Sequence, residues 1–171
     1  VLRDETVALV KPSEGRVIID GTLGGGGHAE ALLARGARVF GIDRDPLALT
    51  AACARLARFG DRFVPLSGEF GEAVSLVQEP VDGLVLDLGV SSPQLDVAER
   101  GFSFMSDGPL DMRMSGAGET ASELIARLSE KELADVLFRN ADEVHSRGIA
   151  RELKARLPKR TTEAVAAIKA G

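Results

Sequence analysis

The stretch Arg16-Val17-Ile18-Ile19-Asp20-Gly21-Thr22-Leu23-Gly24-Gly25-Gly26-Gly27-His28 decides how this chain folds. A short apolar run ends in a carboxylate, glycines come next, and residues 28–35 continue with helical spacing up to Gly36, a stop signal. That order spells strand, tight turn and helix. Glycines at such a turn let the main chain approach a ligand with no Cβ in the way.

The pattern repeats outward. Residues 38–43 form a second apolar run ending in Asp43, and Asp45-Pro46 then opens a helix with a capping carboxylate and a first-turn proline. Residues 62–66 read as a third, weaker strand with Pro65 near its end, residues 70–77 as a helix, and residues 81–87 as a fourth strand. Strand–helix units with short connections imply a parallel sheet with right-handed crossovers, whose ligands bind beyond the carboxyl ends of the strands. Asp20, Asp43 and Asp87 are expected at that edge.

Past Asp87 the grammar changes. Residues 88–118 are rich in Gly, Ser, Pro and Asp and too long for an ordinary connection, and such segments are functional or disordered. Phe102, Phe104, Met105, Met112 and Met114 within it favour function. From Thr120 the chain reads as helical, over 121–128, 130–139, 144–157 and 161–170. The expected organisation is therefore an α/β domain over 1–105, then a loop and small helical subdomain over 106–171.

The 171 residues suit one domain with a small appendage. With no Trp or Tyr and seven Phe, the core must be mainly aliphatic. A single cysteine, Cys53, excludes an internal disulfide and reads as a small core residue in an Ala-rich helix. His28, His145 and Cys53 are too scattered to suggest a metal site, and His145 reads as structural. No apolar stretch is long enough for a bilayer and no secretory segment opens the sequence, so the expectation is a cytoplasmic protein without a membrane partner. The net charge of −5 is uneven: residues 1–137 hold 13 Lys/Arg against 22 Asp/Glu, and residues 138–171 hold 8 against 4. That basic tail suits either phosphates or a solvated helix face.

Two cofactors fit the turn. Gly24-x-Gly26-x-x-Ala29 is a degenerate dinucleotide fingerprint, with Asp43 where a ribose-binding acid belongs, so a nicotinamide oxidoreductase is permitted. The missing Gly-Lys-Ser/Thr excludes a P-loop. S-adenosylmethionine is a cation without pyrophosphate, and the extra carboxylates Asp20 and Asp87 suit it better. His28, beside the turn, reads as a ligand contact rather than a base. The polar run 87–94 comes directly after the fourth strand, where an acceptor can orient the lone pair of a base's exocyclic amine towards a methyl carbon. As a plain turn, Ser91-Ser92-Pro93 needs no such role.

The sequences 20–28, Ile42-Asp43-Arg44-Asp45-Pro46, 87–94, Glu99-Arg100-Gly101-Phe102-Ser103-Phe104 and Asp107-Gly108-Pro109-Leu110-Asp111-Met112-Arg113-Met114 together resemble the RsmH (MraW) family. The resemblance implies a class I, Rossmann-like S-adenosylmethionine-dependent methyltransferase with a small helical subdomain. The reaction it implies is methylation of the N4 amine of a cytidine in small-subunit ribosomal RNA. Carried over by position, it assigns cofactor contacts to Gly26, Gly27, His28, Asp43, Phe70, Asp87 and Gln94, with Asp43 on ribose and Phe70 on adenine. It brings residues 101–114 to the cytidine. No general base is assigned, because solvent can take the amine proton, and a dimer is compatible with the reading. A non-catalytic RNA- or ribosome-binding module is the remaining alternative. The family's Tyr-Gly-Glu-Glu is replaced here by Arg139-Asn140-Ala141-Asp142-Glu143, and its later strands have no counterpart. Residues 1–171 alone are therefore expected to bind cofactor weakly and turn over poorly, which a methyl-transfer assay on this chain measures.

Overall fold

The computed structural model describes residues 2–171. Two compact units divide between Gly89 and Val90. The first contains β1 (Val17–Asp20), β2 (Arg38–Asp43), β3 (Phe63–Ser67) and β4 (Gly83–Val85), all parallel, in the order β3-β2-β1-β4. Its α-helices are α1 (Arg3–Val10), α2 (Gly27–Ala34), α3 (Pro46–Leu56) and α4 (Phe70–Ala73). The expected Rossmann-like α/β architecture is present, and α1 is an addition the sequence pattern did not announce.

Alternation along the strands sorts the core onto two faces. Ile18 and Val39 pack with Val7 of α1, Leu32 and Leu33 of α2, and Ala52 and Leu56 of α3. Ile19, Phe40 and Ile42 turn to the other face with Ala73 of α4. Each such Val, Leu, Ile or Phe side chain, fully buried, contributes about 1.5–3 kcal/mol of transfer free energy. Cys53 lies in α3 but is only half-buried. Pro65 does not end its strand. It pairs with Gly41 inside β3, which is tolerated because β3 is an edge strand.

The second unit contains α5 (Ser92–Asp96), α6 (Ala121–Arg127), α7 (Glu130–Ala141), α8 (Ser146–Arg156) and α9 (Thr161–Ile168). Capping boxes start α6 at Thr120/Glu123 and α7 at Ser129/Glu132. Hydrogen bonds from Thr120 and Ser129 hold those two glutamates below the usual carboxylate range. Leu110, Ile125, Leu133, Ile149, Leu153 and Ala167 make the core of this unit. His145 stands just before α8, exposed, rather than within a helix. Among the described residues no helix is long and apolar enough to cross a membrane.

Residues 90–105, grouped by sequence with the first domain, fold with the second unit instead. Arg100 donates to the carbonyls of Arg113 and Met114, and its own carbonyl accepts Met112 N. The long segment is ordered by α9: Thr161 bonds Ser106 and Gly108, while Arg160 and Thr162 hold Asp107. Those bonds also lower the Asp107 carboxyl from its ordinary range, the Thr162 hydroxyl most of all. Gly101 has φ 72°, and a Cβ there would strike the Pro109 carbonyl and stand 2.6 Å from Asp111 N. Both obstacles are backbone. Gly101→Ala is therefore expected to destabilise the second unit by about 2–4 kcal/mol, read as a lowered urea midpoint. Gly116→Ala (φ 73°, open space) should cost only the backbone strain, about 1–2 kcal/mol.

Candidate functional site

In a sheet ordered β3-β2-β1-β4, the order of connection reverses between β1 and β4, and a crevice opens there beyond the strand ends. Asp20 closes β1 at that point, with its backbone paired to Val85 of β4. Backbone bonds, two of them long-range, build the turn after β1. Gly21 N donates to Val85 O, Leu23 N to Ile42 O, and Gly26 N back to Leu23 O. From the far side, Asp87 N donates to Thr22 Oγ1 at 2.7 Å. Asp87 and the glycine turn are therefore neighbours.

Asp43 has a structural task that its position alone does not reveal. Its Oδ2 accepts Gly24 N at 2.8 Å and its Oδ1 accepts Asp45 N at 2.9 Å. One carboxylate thus pins both the glycine turn and the entry to α3, where Asp45 caps Leu47 N. Each carboxylate oxygen can accept a second hydrogen bond, so capacity for ribose hydroxyls remains.

The four glycines are not equivalent. Gly26 is left-handed at φ 78°, and a Cβ there would lie 3.1 Å from Leu56 and 3.4 Å from Ala52, so it is small because it packs on α3. At Gly25 and Gly27 a Cβ would meet nothing within 4 Å. These two leave open space at the start of α2, where a ligand can approach the backbone. Gly21 must also be bare, since its Cβ would stand 2.6 Å from Leu86 and 3.3 Å from Phe70. That close approach places Phe70, at the start of α4 and still substantially exposed, against the turn.

The electrostatics of the site centre on one buried acid. Asp20 is 1% exposed. Its Oδ1 accepts Thr22 N, while its Oδ2 is buried with no partner. Burial pushes its carboxyl up to about 6, against the hydrogen bond from Thr22 and the field of His28. His28, in the first turn of α2, places Nδ1 4.0 Å from Asp87 Oδ2 and leaves Nε2 buried without a partner. Two orphaned buried polar atoms in one turn are unusual, because such groups are costly unless a ligand or water satisfies them. The ammonium of S-adenosylmethionine is a donor suited to the Asp20 oxygen, whereas a pyrophosphate would meet carboxylates. The residues fit the methyl donor.

The structure thus brings Gly26, Gly27, His28, Asp43, Phe70 and Asp87 to the carboxyl edge of one sheet. Gln94 belongs to the second unit, in α5, where its carboxamide oxygen accepts Ser91 N at 2.9 Å. Sequence spacing missed Thr22 as the residue that locks Asp87, and it carried the fourth strand to Asp87, whereas β4 stops at Val85; nor did it separate Asp20, buried and unsatisfied, from Asp43 and Asp87. Among the described residues no cluster of three or more metal-ligating side chains occurs.

The MraW methylase family matches residues 1–170 of this chain. Ribosomal RNA small subunit methyltransferase H of Myxococcus xanthus is 59% identical over 171 residues, covering 99% of this chain and 56% of that protein. Proteins of the same name from an Anaeromyxobacter species and from Cereibacter sphaeroides are 52% and 51% identical, over 92% and 98% of this chain and 52% of each relative. The chain spans about half the length of the relatives it matches.

The Asp20 environment generates a stability prediction. An acid whose folded value lies above its ordinary 3.8 holds its proton more tightly folded than unfolded. Its stabilising contribution is full below about pH 4 and is lost as pH rises through about 6. Asp20→Asn should therefore be more stable than the parent protein near pH 7.5, by about 1–3 kcal/mol, and about equal to it near pH 4. Urea unfolding at the two pH values measures both.

Proposed function

The chain belongs to the MraW methylase family, and from that premise we propose that it binds S-adenosylmethionine and serves methyl transfer to the N4 amine of a cytidine in small-subunit ribosomal RNA. The observation that carries the cofactor assignment is the partnerless Oδ2 of buried Asp20 beside the open faces of Gly25 and Gly27. The acceptor assignment rests on the family and on its relatives' shared name.

When bound, the sulfonium supplies an electrophilic methyl group. The chain's own residues would do the rest by placement and electrostatics. Asp20 would take the ammonium end, with His28 and Asp87 beside it. Asp43, while still pinning the turn, would accept ribose hydroxyls, and Phe70 would pack on adenine. Gln94 stands in the proposed set on the family resemblance alone. The amine proton leaves to solvent, so no side chain is required as a base.

A nicotinamide oxidoreductase is disfavoured, because a dianionic pyrophosphate at this turn would face Asp20 and Asp87. Titration calorimetry decides between the two cofactors: S-adenosylmethionine should bind and NAD should not. Asp87→Ala should weaken S-adenosylmethionine binding about 10- to 100-fold, the loss of one charged contact. It should reduce transfer of labelled methyl to small ribosomal subunits as well. NAD binding, or methyl transfer indifferent to Asp87, would overturn the proposal.

A further inference from the structure

The second unit holds eight arginines, and five of them are internally committed. Arg100 is bound to two carbonyls, and Arg113, Arg127, Arg156 and Arg160 are bound to Asp111, Glu119, Glu152 and Asp107. Arg139, Arg147 and Arg151 are exposed and make no ion pair among the described residues. All three lie on the α7–α8 hairpin, two of them on α8.

The sequence of α8, Ser146-Arg147-Gly148-Ile149-Ala150-Arg151-Glu152-Leu153-Lys154-Ala155-Arg156, carries four cations and one acid. Ser146, Ile149, Ala150 and Leu153 form its buried stripe. Arg147 and Arg151 are four residues apart and hence neighbours on the same exposed face, with Cβ atoms about 5–6 Å apart. The other charges of this helix are spent: Glu152 holds Arg156, and Lys154 caps the carbonyls of Ile125 and Ala126 at the end of α6. The nearby turn contributes Asp142 and Glu143, the latter accepting His145 N. From residue 146 to the end, seven Lys/Arg face two Asp/Glu, although the whole chain carries a net charge of −5.

We propose that the exposed face of α8, centred on Arg147 and Arg151, docks the sugar–phosphate backbone of RNA. This role rests on the RNA substrate proposed for the chain, and charge complementarity selects the occupant. Guanidiniums without carboxylate partners are ready for bidentate phosphate contact, and they meet it without first breaking an internal pair. Such contacts position an RNA and do not read its sequence. The face should therefore bind unrelated RNAs alike.

The test is the salt dependence of RNA binding by the full 171-residue chain, using oligocytidylate and a mixed-sequence RNA of equal length. For single strands the slope of log K against log salt is about −0.7 for each phosphate neutralised. R147A/R151A should flatten the slope by about 1.4 for both RNAs, while R156A, which removes an internally paired cation, should change it by less than half that. Calorimetry with S-adenosylmethionine on the same variants should show unchanged cofactor binding. An unchanged slope in R147A/R151A, or an effect equal to that of R156A, would overturn the proposal. The absence of cofactor binding by the parent protein would instead count against the methyltransferase reading.

Discussion

One carboxylate organises the site-bearing unit. By accepting Gly24 N and Asp45 N together, Asp43 joins the turn after β1 to the helix entry after β2. That clamp adds to the backbone bonds of Gly21, Leu23 and Gly26 in holding the glycine run in one conformation, which glycines resist because they lose the most entropy on ordering. With it, α2 starts at Gly27, α3 starts at Pro46, and Leu23 reaches Ile42. A charged acceptor bonded to two amides is stronger than a neutral one. The residue proposed for ribose is therefore first a structural residue, and on that proposal a substitution there would combine two losses.

Around this clamp the sheet sets a tension between stability and binding. β1 and β4 pair so that Asp20 is taken out of water at the switch point with one oxygen unsatisfied. Burial raises its carboxyl to about 6, which means that the charged form is destabilising in the free protein. The cationic ligand proposed for this site would convert that cost into affinity, as preorganised sites commonly do. The neighbouring orphan on His28 belongs to the same local arrangement.

The second unit solves a different problem. Its long segment 97–120 has little regular structure, yet Asp107, Gly108 and Leu110 are tied to the start of α9 and the two residues before it, and Arg100 to residues 113 and 114. Asp111 grips Arg113 through both carboxylate oxygens, and that grip holds the acid below its usual range. Met112, between them, sits at φ 61°, a conformation that costs a non-glycine residue about 1–2 kcal/mol. These long-range ties explain why a Gly-, Ser- and Asp-rich stretch is ordered.

The sequence by itself determined the order of strands and helices, the parallel sheet, the turn and the four C-terminal helices, because these rest on local signals: hydrophobic period, caps, glycine and proline. It also placed Asp20 and Asp43 at strand ends and expected Asp87 at a third, although β4 stops two residues earlier, and the three looked alike. Only the tertiary structure separated them into a buried, unsatisfied acid, a backbone clamp and an exposed acid locked through Thr22. It likewise showed that Gly26 is small for packing while Gly25 and Gly27 face open space, that residues 90–105 fold with the second unit, and which of that unit's arginines are internally committed. Each of these depends on desolvation or on a partner distant in the chain, and neither is written in neighbouring residues.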